Sequence, residues 1–163
     1  LNNKISLDNG IRNITLLGRY QILSKEPEII LDVAHNEDSA KKLQENLMKN
    51  RFCKTIAIIG ILKDKDVYSL IKPMIGIVDL WYCVTINSVR GMNAQEIRAR
   101  MSTLVNKDKI FISDKMTDAS LKAMSQLDRQ DRLIIYGSFY TVSEYLTCYK
   151  TLTNLNENNY NEF

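Results

Sequence analysis

The sequence predicts an α/β domain in which a mixed, mostly parallel sheet lies between layers of helices. Three observations carry this reading. Short apolar runs alternate with segments of helical period from about residue 14 to about residue 150. The runs are rich in Ile, Val, Leu and Tyr with little polar alternation, as strands covered on both faces require. The length of 163 residues makes one domain at roughly 100–200 residues per domain, and leaves no room for a second.

The elements follow in order. Residues 14–17 and 20–23 are short and extended, and 28–33, 55–62, 80–85, 109–112 and 132–136 are the remaining strand candidates. Ser24-Lys25-Glu26-Pro27 is too short for a crossover helix, so the strands on either side of it pair antiparallel as a hairpin. Helical spacing is carried by Ala40, Leu43 and Leu47, by Val67, Leu70, Ile71 and Met74, and by Ile97, Met101 and Leu104. It continues in Leu121, Met124 and Leu127, and in Val142, Tyr145, Leu146 and Tyr149. Asn36 precedes an acidic first turn, Glu37-Asp38, and Asn93 with Glu96 has the form of a capping box. The domain is expected over residues 1–150. Residues 151–163, with five Asn, are expected as a tail.

Composition narrows the partners. Twenty-two Lys and Arg against 19 Asp and Glu give a net charge of +3 spread along the chain, which does not favour nucleic acid. The longest apolar stretch, residues 56–62, is far short of the ~20 residues that span a bilayer, so no membrane association is expected. Cys53, Cys83 and Cys148 are odd in number and widely spaced, which suits a reducing cytoplasm and gives neither a disulfide framework nor a metal site. The opening Leu1 with no signal-peptide pattern reads as a cut inside a longer protein.

Candidate chemistry lies just past the strands, because open α/β sheets bind ligands beyond the carboxyl ends of their strands. Asp32 ends a strand, where a carboxylate can accept both hydroxyls of a ribose. His35 and Asn36 open a helix whose N–H groups can meet an anion. Taken alone, the commoner reading is that Asp32 caps a turn and that His35 is a satisfied loop residue. Ser138 follows Gly137 at a strand-to-helix junction, as a ligand hydroxyl or as a plain N-cap. Arg19 beside Gly18 can fork onto phosphate or stack on a base. The run from Gly60 to Asp66 ranks below these. No G-x-G-x-x-G and no G-x-x-x-x-G-K-[ST] is present, so neither a dinucleotide fingerprint nor a phosphate-gripping loop lies in this chain.

GRYQI from Gly18, ILDVAHN from Ile30, GILKDKD from Gly60, WYC from Trp81, RG from Arg90 and GSFYTV from Gly137 together resemble the C-terminal domain of bacterial folylpolyglutamate synthase/dihydrofolate synthase. The DVAHN segment is the most specific piece and is shared with Mur ligase C-terminal domains generally. Leu17, Lys63 and Tyr140 stand where Pro, His and His are frequent. The resemblance implies a three-layer Rossmann-like domain of the Mur ligase C-terminal type. It also implies an ATP-dependent ligase that joins L-glutamate to dihydropteroate or a reduced folate through an acyl phosphate. Arg19 and Asp32 match positions that contact ATP; His35 and Ser138 match catalytic and glutamate-binding positions near the γ-phosphate. Magnesium ligands and the ATPase loop are implied in an N-terminal domain outside this chain, with the parent enzyme a cytoplasmic monomer. The competing class is a non-catalytic nucleotide-binding or regulatory α/β module. An upstream G-K-[ST] loop distinguishes the two.

Overall fold

The computed structural model describes residues 18–160, with side chains through Thr153; the extended run expected at 14–17 and the last three residues of the expected tail lie outside the described residues. Strand β1 (Gln21–Lys25) turns at Glu26-Pro27 into β2 (Glu28–Leu31), antiparallel as the four-residue link predicted. Then come α1 (Glu37–Leu47), β3 (Thr55–Ile59), α2 (Val67–Ile71) and β4 (Leu80–Val84). They are followed by α3 (Ala94–Met101), β5 (Ile110–Ser113), α4 (Met116–Met124), β6 (Arg132–Tyr136) and α5 (Phe139–Tyr160). The sheet order is β1-β2-β6-β3-β4-β5, with every pair after the hairpin parallel.

Burial explains the strand composition. Every residue of β2, β3 and β6 is buried, because helices cover both faces at the centre of the sheet. Alternate residues feed two cores. Ile30, Ala57, Ile59, Trp81, Cys83, Ile134 and Tyr136 pack with Leu43, Leu70, Ile71, Ile97 and Met101 of α1, α2 and α3. Ile29, Leu31, Ile56, Ile58, Tyr82, Leu133 and Ile135 pack with Ala119, Ala123, Val142 and Tyr145 of α4 and α5.

Three local expectations change. In α4 the buried face is Met116, Ala119, Ser120 and Ala123, and Leu121 is 54% exposed. Small residues let the helix lie close to the sheet and turn Leu121 outward, while Met124 and Leu127 stay partly buried against the same core, as expected. Leu104, likewise expected in a core stripe, is exposed beyond the end of α3. Residues 151–160 continue α5 instead of forming a tail, since adding turns to an anchored helix costs less than nucleating one. Thr151 and Thr153 return their hydroxyls to the carbonyls of Thr147 and Tyr149 at 3.0 and 2.9 Å. The caps hold in part: Asn36 and Ser39 form a reciprocal box, whereas Asn93 accepts the Glu96 N–H but Glu96 turns its carboxylate to Arg100.

A buried charge holds the middle of the sheet. Arg132, 1% exposed, donates from Nε to Glu28 at 2.8 Å and to the carbonyls of Leu47 and Asn50 at 3.1 Å each, with its guanidinium 4.0 Å from the Phe52 ring centroid. Removing Glu28 leaves that cation unpaired and desolvated. Glu28→Ala should therefore destabilise the chain by about 3–5 kcal/mol, whereas breaking the exposed, solvent-screened Lys41–Glu37 pair by Lys41→Ala should leave stability nearly unchanged. Urea unfolding of both variants checks this; equal, small losses would show that the buried pair is incidental.

Candidate functional site

Strand β6 enters the sheet between β2 and β3, so the loops leaving β2 and β6 lie side by side at the carboxyl edge before α1 and α5 depart to opposite faces. This is the topological switch point, where such sheets hold ligands. The Gly137 N–H donates to the Ala34 carbonyl at 3.1 Å and ties the two loops together.

Asp32 organises the first loop. Its Oδ1 accepts the Ala34 N–H at 2.8 Å and its Oδ2 accepts the Tyr20 N–H at 2.9 Å. Each oxygen keeps a lone pair for a further donor. Burial raises the Asp32 carboxyl above the usual carboxylate range, opposed by the two N–H bonds and by the Arg19 guanidinium. The second bond draws the Gly18-Arg19-Tyr20 turn against β2. Gly18 (φ +93°) and Tyr20 (φ +47°) both lie in the left-handed region, and the Gly18 carbonyl accepts the Val33 N–H at 2.6 Å. The Tyr20 hydroxyl donates to the Asn46 carbonyl at 3.3 Å, so Arg19 projects from a turn pinned on both sides. Arg19 itself is exposed.

His35 is exposed beside this turn. Its Nδ1 lies 3.0 Å from the Val33 carbonyl, which assigns the proton to Nδ1 in the neutral ring and leaves Nε2 as an acceptor. The expected anion site at the start of α1 changes character. The N–H groups of His35 and Asn36 both reach Ser39 Oγ, and the Ser39 N–H goes to Asn36, so the capping box consumes donors that a phosphate would use.

Ser138 stands where it was expected, at the start of α5, but its hydroxyl turns inward. It accepts the Thr141 N–H at 3.1 Å and lies 2.7 Å from Thr141 Oγ1, and the residue is 2% exposed. Thr141 and Tyr20, which hold Ser138 and Arg19, were missed. The signal for Thr141 was a hydroxyl three residues after a capping Ser. In the Gly60–Asp66 loop the Lys63 ammonium donates to the Val89 carbonyl at 3.1 Å, so it fastens the loops after β3 and β4 to each other and not to the switch point. Among the described residues no three His, Cys, Asp or Glu converge as a metal cage, and no helix is long and apolar enough to cross a membrane.

An Asn at position 32 keeps one acceptor and turns an amide N–H2 toward the other backbone N–H. Asp32→Asn should loosen the Gly18–Tyr20 turn at a cost of about 1–3 kcal/mol. The pH dependence has a definite sign. The folded carboxyl titrates above its ordinary value of 3.8, so the stability tied to its protonation is present below that value and lost as pH rises through the folded pKa. The stability of the wild-type chain relative to Asp32→Asn should fall as pH rises through that window. Urea unfolding across it tests the sign, and a rising difference would contradict the burial of Asp32.

A family model described as Mur ligase, glutamate ligase domain matches residues 18–139. A dihydrofolate synthase/folylpolyglutamate synthase of Buchnera aphidicola subsp. Baizongia pistaciae is 40% identical over 135 residues, covering 82% of this chain and 31% of that protein. The solved structure of E. coli FolC in complex with ADP is 29% identical with a TM-score of 0.75, covering 84% of this chain and 32% of that one. A bifunctional folylpolyglutamate synthase/dihydrofolate synthase with Mn, AMPPNP and L-glutamate bound is 33% identical with a TM-score of 0.74, covering 82% and 32%. This chain therefore spans about a third of the length of the relatives it matches. The matched stretch runs from the Gly18 turn to the first residue of α5 and encloses Arg19, Asp32, His35 and Ser138; the chain belongs to the Mur ligase, glutamate ligase domain family.

Proposed function

We propose that this chain is the C-terminal lid of an ATP-dependent amide ligase that adds L-glutamate to dihydropteroate, to folate polyglutamates, or to both. In such a reaction the acceptor carboxylate takes the γ-phosphoryl group of ATP, and the glutamate amine then displaces phosphate to form the amide. The observation that supports this best is the convergence of a pinned, exposed Arg19, a half-used Asp32 carboxylate and His35 Nε2 at one switch point, inside the family match. Asp32 has one lone pair per oxygen left for ribose hydroxyls, and Arg19 offers a planar fork to phosphate or a face to the base. His35 and Ser138 mark the end of the site where phosphate and glutamate meet.

Magnesium does not fit the described residues, among which no three potential ligands converge. We assign its ligands, the phosphate-gripping loop and the pterin contacts to an N-terminal domain. The C-terminal unit closes over ATP, shielding the acyl phosphate from water. The same reading makes this chain the lid, and the enzyme a cytoplasmic monomer without a nucleic-acid partner.

In the full-length enzyme, Asp32→Asn should weaken ATP binding by about 1.5–3 kcal/mol, roughly ten- to 150-fold. Arg19→Ala should raise the ATP KM while glutamate KM stays closer to normal, and Arg19→Lys should restore only part of the loss. Steady-state titrations of both substrates decide; a larger shift in glutamate KM would reassign Arg19.

The present chain alone should not ligate, because its sequence holds no phosphate-gripping G-x-x-x-x-G-K-[ST] loop to clamp the γ-phosphoryl group. Incubation with ATP, magnesium, glutamate and dihydropteroate or tetrahydrofolate, followed by assay for ADP and glutamylated product, checks this. Turnover comparable with the full-length enzyme would move the chemistry into this domain.

A further inference from the structure

The end of β3 and the start of α5 cross at close range. Thr141 is fully buried and donates from Oγ1 to the Gly60 carbonyl at 2.8 Å. Its own hydrogen being spent there, the 2.7 Å contact with Ser138 requires Ser138 to donate to Thr141 Oγ1. Ser138 Oγ in turn accepts the Thr141 N–H at 3.1 Å. The result is a directed chain, Ser138 to Thr141 to Gly60, in which the Ser138 hydroxyl both gives and receives inside the protein. The surroundings leave little room for alternatives. A Cβ on Gly60 would lie 2.6 Å from Thr141 Oγ1, and a Cβ on Gly137, at φ +114°, would collide with the Gly60 carbonyl oxygen.

A hydroxyl on a residue only 2% exposed, engaged both as donor and as acceptor, is poorly placed to bind a substrate atom directly. It is well placed to set the position of its own helix start, where Phe139 and Tyr140 are exposed beside the switch point. We infer that Thr141 and Ser138 act as one positioning pair that locks the start of α5 to the end of β3, and that they serve glutamate through the geometry of that helix start, without touching it. This rests on the reading of the α5 start as the glutamate end of the site.

The pair predicts a particular pattern of kinetics in the full-length enzyme. Thr141→Val keeps the shape but removes both the donor to Gly60 and the acceptor for Ser138. It should raise glutamate KM by about tenfold, with ATP KM within about twofold. Ser138→Ala should do the same, and the double variant should be no worse than either single, as expected of groups that act as a unit. Thr141→Ser, which keeps the hydroxyl, should bring glutamate KM back to within about threefold. Losses that add in the double variant, or a Ser138→Ala effect much larger than that of Thr141→Val, would show that Ser138 touches substrate and would overturn the inference alone. So would a Thr141→Val enzyme, folded by thermal unfolding, with normal glutamate KM. Amide hydrogen exchange on the wild-type enzyme tests the underlying reading separately. Saturating glutamate with ATP should slow exchange at residues 139–141, and unchanged exchange there would overturn both the reading and the inference.

Discussion

Insertion of β6 between β2 and β3 is the constraint on which the rest of this structure depends. The last of the described strands becomes a central one, paired in parallel on both sides, with Arg132 opposite Glu28 on one flank and Thr55 on the other. Only this arrangement sets the loops after β2 and β6 side by side, sends α1 and α5 to opposite faces, and opens a switch point between them. The pairing is long-range, since Arg132 and Glu28 are 104 residues apart, so the site forms only as the sheet is completed.

Arg132 makes that insertion specific. A buried guanidinium gains little net stability from its ion pair, because desolvation offsets most of the attraction. It does demand a full set of acceptors, and Glu28, the Leu47 carbonyl and the Asn50 carbonyl provide them with β6 in the observed register. A slip of one residue would move the side chain to the other face of the sheet and strand the charge. The amino edge of the sheet thus holds the register that the carboxyl edge uses.

At the carboxyl edge the same logic runs through smaller groups. Asp32 spends one lone pair on each oxygen to hold the turn that presents Arg19, and Thr141 and Ser138 spend their hydroxyls on the crossing of β3 and α5. Polar side chains that look available in a list of site residues are partly committed to building the frame. What remains exposed is a small, convergent set: the Arg19 side chain, the outer lone pairs of Asp32 and Nε2 of His35. Preorganisation of this kind lowers the entropy cost of holding a flexible ligand.

The sequence by itself determined the α/β class, the hairpin from its four-residue link, the buried central strands and the helix starts at Asn36 and Asn93, because hydrophobic period and capping chemistry act over a few residues. It also placed Arg19, Asp32, His35 and Ser138 at strand ends. Only the tertiary structure decided which of their atoms face outward. The Ser138 hydroxyl is turned inward by Thr141, the N–H groups expected to meet an anion at α1 are taken by Ser39, and Lys63 is drawn to Val89. It also decided that Leu121 faces out while Ala119 and Ala123 face in, and that Arg132 is a core residue. These outcomes depend on partners between 3 and 104 residues away, and on how closely a helix lies on the sheet. Local periodicity carries no information about either.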